Sequence, residues 1–267
     1  MPLFALLFLC SCSDDAGDKE TGTNTAVEKP GNTPETSPSV AKEKRSDVAA
    51  QGLKGKVEVM SETILRGDSK KMASKNVFKY DEKGNMIELA NYKADGKLNS
   101  TFKSIYDANG NLVSEQTLLG DGKVDLTSTI KTDAKGNKIE QEDKRGGNDL
   151  FNYTSYFRYD EKGRQIERKA VRGNGALMFQ YNFTYDDNGN KTEWIQRGPK
   201  NTVVGKVLYK YDSNNNLIEE TQYKGDGSLK GAYTYSYDFD KKGNWVRQKK
   251  IQDNKVIEIK ERAIKYH

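Results

Sequence analysis

The strongest constraint on this chain is a six-residue phrase that returns at a fixed interval. Tyr185-Asp186-Asp187-Asn188-Gly189-Asn190 has near-copies opening at Tyr80, Tyr106, Tyr159 and Tyr211. A copy at Thr132 lacks the tyrosine, and one at Tyr237 carries two extra residues before Gly243-Asn244. The starts at 80, 106, 132, 159, 185, 211 and 237 are 26 residues apart, with one step of 27. A period of that length marks a repeat architecture, with one supersecondary unit per period.

The phrase itself is turn chemistry. Aspartate accepts from nearby backbone N–H groups, and Gly or Asn takes the positive φ of a tight hairpin. The expected turn residues are Asp81 and Gly84, Asp107 and Gly110, Asp133 and Gly136, Asp160 and Gly163, Asp186 and Gly189, Asp212, and Asp238 with Gly243. A second turn falls about midway through most periods, as at Asp95-Gly96, Asp121-Gly122, Asn174-Gly175, Asp226-Gly227 and, more weakly, Asp253-Asn254. Two turns per period leave two runs of roughly 8–10 residues, enough for strands and too short for helices. Each unit is therefore a β-hairpin.

Alternation with a period of two assigns the faces. Tyr181, Phe183 and Tyr185 share one face of their strand, as do Val207, Tyr209 and Tyr211, and Tyr233, Tyr235 and Tyr237. After each turn, Ile87, Val113, Ile139, Ile166, Thr192, Ile218 and Val246 form an aliphatic series. The expected fold is all-β: a continuous meander of about eight β-hairpins, or about sixteen antiparallel strands, forming an elongated or curled single-layer sheet. Composition suits a thin sheet, since apolar residues make up only 34 %. Val57–Leu65 and Val256–Tyr266 are expected as edge strands, guarded by charges at Lys255, Glu258, Lys260, Glu261, Arg262 and Lys265.

Three segments are expected. Residues 1–12 read as a signal peptide: an apolar run ends in Leu9-Cys10-Ser11-Cys12 and resembles a bacterial lipoprotein signal, in which Cys12 would be acylated. The usual basic stretch before such a run is missing, which places the expected start further upstream. Residues 13–50 are rich in Thr, Ser, Pro and charge, and read as a flexible tether. Ser13-Asp14-Asp15 resembles the acidic export signal of surface lipoproteins. Residues 53–267 form the repeat domain.

The Tyr-Asp-x-x-Gly-Asn phrase in register resembles the YD-repeat (RHS-type) family over about 80 % of the chain. That resemblance implies a spiral of β-hairpins. The toxin that follows such spirals in large members has no counterpart here.

The residues offer little catalytic chemistry. The single histidine is His267, and no cysteine follows Cys12, so no histidine triad, cysteine nucleophile or histidine metal cluster can be assembled from this sequence. Asp107-x-Asn109-x-Asn111 and Asp186-x-Asn188-x-Asn190 begin like calcium loops, but Leu112 or Lys191 stands where glycine is required. No cofactor or metal is expected. Beyond the acidic tether the chain carries 39 Lys and Arg against 31 Asp and Glu, and the export signal argues against nucleic acid as its partner. The expectation is a non-enzymatic, lipid-anchored envelope protein on the outer membrane, facing either the cell surface or the periplasm. It would serve as a scaffold or a binding surface for glycan or protein, with Tyr181, Tyr185, Tyr209, Tyr211, Tyr235, Tyr237 and Trp245 as candidate binding residues. An accessory or immunity-type partner of a larger secretion system is one alternative, and a carboxylate-based glycan-acting enzyme is another.

Overall fold

A computed structural model describes residues 46–67, 70–146 and 152–267. Cys12, the expected signal peptide and the tether up to residue 45 lie outside the described residues. A four-residue helix, α1 (Asp47–Ala50), precedes sixteen strands. The first eight are β1 (Val57–Arg66), β2 (Lys71–Tyr80), β3 (Met86–Lys93), β4 (Leu98–Tyr106), β5 (Leu112–Leu119), β6 (Val124–Thr132), β7 (Lys138–Arg145) and β8 (Tyr153–Tyr159). The rest are β9 (Gln165–Arg172), β10 (Leu177–Tyr185), β11 (Lys191–Arg197), β12 (Val203–Tyr211), β13 (Leu217–Lys224), β14 (Leu229–Phe239), β15 (Trp245–Gln252) and β16 (Lys255–Tyr266).

Every strand pairs antiparallel with its sequence neighbours, as the meander required, but the sheet is not open. β1 pairs with β16 and the ring closes. The two strands expected as free edges are each other's partners, and the charges expected to guard an edge form the seam. Arg262 Nε lies 3.1 Å from Glu62 Oε2, Lys265 Nζ 2.7 Å from Glu58, and Arg66 Nε 2.7 Å from Glu258. A sheet that curls far enough gains a full ladder of hydrogen bonds by closing and loses both exposed edges.

The turns supply the curl. In the first type, the Asp81 N–H donates to the Asn85 carbonyl and the Gly84 N–H to the Asp81 carbonyl, with Gly84 at φ +79°. This is a type I turn completed by a left-handed glycine and an adjoining bulge. Tyr80 faces Met86 while Lys79 faces Glu88, so Ile87 is the extra residue. The slip recurs at the same place in β4–β5, β6–β7, β8–β9, β10–β11, β12–β13 and β14–β15. Each bulge adds local twist, and a bulge at nearly every strand end bends a flat meander into a ring. Asn215 replaces glycine at φ +64° in its turn, and Asp253-Asn254 makes a two-residue turn with both φ values positive. One expectation moves: the last turn uses Asp240, whose carboxylate accepts from the Lys242 and Asn244 N–H groups, while Asp238 lies exposed in a strand two residues longer than β12.

The residues assigned to the end of the tether are part of the fold. Ser46 Oγ caps α1, the Val48 N–H donates to the Gly84 carbonyl, and the Met86 N–H donates to Asp47 Oδ2. Further on, Lys54 N–H donates to Asn244 Oδ1 at 2.6 Å. The segment thus runs from the β2–β3 turn to the β14–β15 turn and braces the seam. Under it, Val48, Leu53, Val57, Met60, Phe78, Tyr80, Met86 and Leu89 form the best-buried apolar cluster.

Candidate functional site

The site is the inner wall of the ring. Sixteen strands about 4.8 Å apart and tilted by roughly 40° would enclose a round barrel about 32 Å across at the backbone. Every strand pair in extensive backbone contact is a pair of ring neighbours, and the space the ring encloses is its lumen.

Alternation places the aromatic face inside, where concavity crowds side chains together. In β10, Phe183 is buried and Thr184 exposed; in β2, Phe78 and Tyr80 are buried and Lys79 exposed. The bulge shifts this parity at each post-turn start, so Ile87 and Val113 point outward, 38 % and 37 % exposed. The aliphatic and aromatic ladders therefore lie on opposite faces. The outer face carries charge near the Asp-x-x-Gly-Asn turns, with cross-strand pairs Lys79–Glu88, Lys131–Glu140, Lys210–Glu219 and Arg247–Glu261 at 2.6–3.1 Å.

The motif tyrosines perform one repeated task. Tyr106, Tyr159, Tyr185, Tyr211 and Tyr237 each donate their hydroxyl to the first carbonyl of the strand one hairpin back: Met86, Lys138, Gln165, Lys191 and Leu217, at 2.6–3.0 Å. At the start of the ring Tyr80 finds Gln51 Oε1 at 2.9 Å, so the N-terminal segment replaces the absent earlier hairpin. At the end Tyr266 reaches Asp240 Oδ2 at 3.0 Å. Burial pushes the Tyr185 and Tyr237 hydroxyls up to about 12. Of the candidate binding residues, Tyr185, Tyr211 and Tyr237 thus spend their hydroxyls stitching one hairpin to the next.

The others face the lumen in two arcs. Across β8–β11, the Phe179 and Tyr181 rings stack at 4.9 Å, with Tyr153 edge-on to Phe179 at 6.0 Å and Trp194 tilted against Tyr181 at 5.6 Å. Arg168 lies 5.6 Å from the Phe157 centroid and 5.3 Å from that of Phe179, and donates to Ser155 Oγ. Lys191 sits 4.2 Å from the Phe183 centroid, and burial pulls its ammonium down to about 8. The Trp194 indole N–H is buried without a partner among the described residues.

Across β13–β16, Glu220 accepts from the Tyr235 hydroxyl at 2.9 Å, from Gln222 at 2.6 Å and from Lys250 at 3.0 Å. Burial and the Glu220 charge drive the Tyr235 hydroxyl far up, fixing it as a donor. Lys250 also lies 3.7 Å from the Tyr233 centroid, and the Arg262 guanidinium 3.3 Å from that of Trp245. Tyr209, half-buried on β12, faces Glu220 across the strand pair. Arg168, Trp194, Glu220 and Lys250 were not singled out by the motif, because they occur once each and not in every period. Their one visible mark is that each breaks the repeat with a charge or a large ring on an inward-facing parity.

The turn carboxylates are saturated locally. Asp107 accepts from the Asn109 and Asn111 N–H groups and from the Asn111 side chain, and hydrogen bonds from Asn111 hold it below the usual carboxylate range. Among the described residues no group of three or more His, Cys, Asp or Glu could hold a metal ion.

Neither a family model nor a curated protein matches the sequence. A porin-like protein from Bacteroides uniformis matches in structure with a TM-score of 0.57 at 11 % identity, over 78 % of this chain and 98 % of that one. A second porin-like protein, from Bacteroides vulgatus, matches more loosely, with a TM-score of 0.39 at 11 % identity over 79 % and 99 %. The TcdB2–TccC3 complex gives a TM-score of 0.34 at 17 % identity, and this chain spans only 11 % of the matched chain there. The YD-repeat resemblance is overturned: no family model supports it, and the fold shared with the first of these proteins is a closed barrel. The recurring phrase is a turn signature, and hairpins that carry it close on themselves instead of spiralling.

Proposed function

We propose that the chain is a non-enzymatic protein of the bacterial cell envelope whose aromatic lumen binds glycan. The observation that carries this reading is the distribution of polarity across the wall. A barrel that spans a membrane carries an outward apolar band about 25 Å tall and a polar interior. Here the register puts Lys103, Gln116, Glu142, Lys169, Gln180 and Lys206 at mid-strand on the outer face, where an apolar band would have to lie, and aromatic rings on the inner one. Such a wall stands in water, and the membrane is reached otherwise, through acylation at Cys12. The porin-like neighbour supports an envelope location by its fold. The lumen offers flat apolar faces at Phe179, Tyr181 and Trp194 with Arg168 beside them, and a fixed polar cluster, Glu220–Tyr235–Lys250, in the second arc. Ring faces with a few set donors suit sugars.

Trp194 and Trp245 both face the lumen, so intrinsic fluorescence reports occupancy. Titration of the full chain with envelope oligosaccharides should shift the emission, and Trp194→Phe should remove most of the response. A full-chain Cys12→Ala variant should lose palmitate labelling and stay in the aqueous phase without detergent. A protein that still needs detergent would overturn the reading of the wall. Emission unchanged across a broad glycan panel would overturn the ligand class.

A further inference from the structure

Both rims of the barrel expose apolar side chains, with Ile87, Ile105 and Val113 beside the Asp-x-x-Gly-Asn turns, but only the opposite rim joins them to a strong excess of base. At the rim opposite the Asp-x-x-Gly-Asn turns, Leu98, Val124, Val203 and Leu229 open their strands and Val256 stands second in its own; all five are aliphatic, outward and 36–60 % exposed. Tyr92 and Tyr223 stand beside Leu98 and Leu229 as their cross-strand partners. The turns that project past this ring, counted with their flanking strand ends, hold twelve Lys and Arg against four Asp and Glu among the described residues. Lys70, Lys71, Lys93, Lys200, Lys224 and Lys255 have no ion pair among the described residues. The other rim, counted alike, holds ten acids and eight bases.

We propose that this basic rim docks on an anionic lipid surface, aliphatic ring and tyrosines entering the headgroup boundary and lysines meeting the headgroups. The proposal rests on the reading that the wall itself stays in water. A circle of apolar side chains at one end of a cylinder meets a plane all round at once, and a planar bilayer is such a partner. Interfacial binding combines buried apolar area, tyrosines at headgroup depth and positive charge. The lumen mouth would then open against the membrane, with the acidic rim facing away.

The test is co-sedimentation of the full-chain Cys12→Ser protein, which cannot be acylated, with phosphatidylcholine vesicles containing none or about 30 % phosphatidylglycerol. Each lysine near an anionic surface contributes roughly a factor of five. The triple variant Lys70→Glu/Lys93→Glu/Lys224→Glu should therefore lose on the order of a hundredfold in binding to anionic vesicles, and raised salt should weaken the parent. Leu98→Asp/Leu229→Asp should lose at least tenfold, while Lys135→Glu/Lys162→Glu on the other rim should match the parent. Equal binding to both vesicle types, no binding, or equal loss from either rim would overturn the docking. Binding insensitive to Leu98→Asp/Leu229→Asp, and matched by a soluble polyanion, would also overturn it and mark a polyanion site instead. Partition into detergent regardless of rim substitutions would instead sink the reading of the wall. All variants lie in exposed turns or at strand ends, and unchanged circular dichroism and thermal midpoint confirm that each is folded.

Discussion

The tyrosine stitch makes a quantitative claim that a pair of substitutions can break. Tyr211 donates to the Lys191 carbonyl at 3.0 Å, and its ring is half-buried against the inner wall. Tyr211→Phe removes the donor alone. A net hydrogen bond of this kind is worth about 1 kcal/mol, so that is the expected loss. Tyr211→Ala also removes the ring; large aromatic truncations cost roughly 3–5 kcal/mol, and partial exposure places this one near about 3 kcal/mol. With an m-value of about 3 kcal/mol/M in urea, the midpoints should fall by roughly 0.3 M and 1 M. The control is Tyr156→Phe: that ring lies on the outer face opposite Glu140 and Lys169, and its midpoint should not move. The assay is urea unfolding followed by circular dichroism, with m unchanged across the set. If Tyr211→Phe matches the parent, or costs as much as Tyr211→Ala, the hydroxyl is not what joins the hairpins.

Three further expectations follow from the same geometry. Burial raises the phenol pKa values of Tyr185 and Tyr237 to about 12, so the folded state holds protons that the unfolded chain releases near pH 10; stability is full below pH 10 and declines as pH rises towards 12, measurable as alkaline unfolding. Arg262→Ala strands Glu62, which is only 8 % exposed at the seam, and should cost about 3–5 kcal/mol in denaturant unfolding, with Glu62→Gln/Arg262→Gln recovering much of it. Gly84→Ala and Gly163→Ala both force a side chain to positive φ at about 1–2 kcal/mol, but only at Gly84 would the new Cβ meet Ser46, at 3.1 Å; protease cleavage near residue 46 should accelerate for Gly84→Ala and not for Gly163→Ala.

The hairpins, their turns and the two-faced strands were legible because each rests on contacts within one period. Asp81, Gly84 and Asn85 specify their turn with no help from elsewhere. Closure was not legible, because β1 and β16 are joined by side chains 200 residues apart, such as Glu62 and Arg262. The charges on β16 read as defence of an edge when seen alone. Their complement on β1, at Glu58, Glu62 and Arg66, was the available clue. Alternation assigned Tyr181 and Tyr185 to a common face, but only curvature says which face lies within. The aliphatic series was likewise found, while its outward placement depends on a bulge that follows from the turn and not from periodicity. Asp238 was misplaced because the motif was aligned on its tyrosine; the stitch keeps that register at Tyr237, but the turn itself follows Asp240.

The closed ring also sets how such a protein can change size. Each hairpin supplies one of eight equal sectors, and a sector cannot be half present without breaking the ladder somewhere. Gain or loss of one 26-residue unit would therefore widen or narrow the bore by a discrete step, on the order of 4 Å in diameter for two strands at the same spacing and tilt. Duplication within a gene of this kind acts as a gauge change: the rims keep their chemistry, and the calibre of what fits between them is reset.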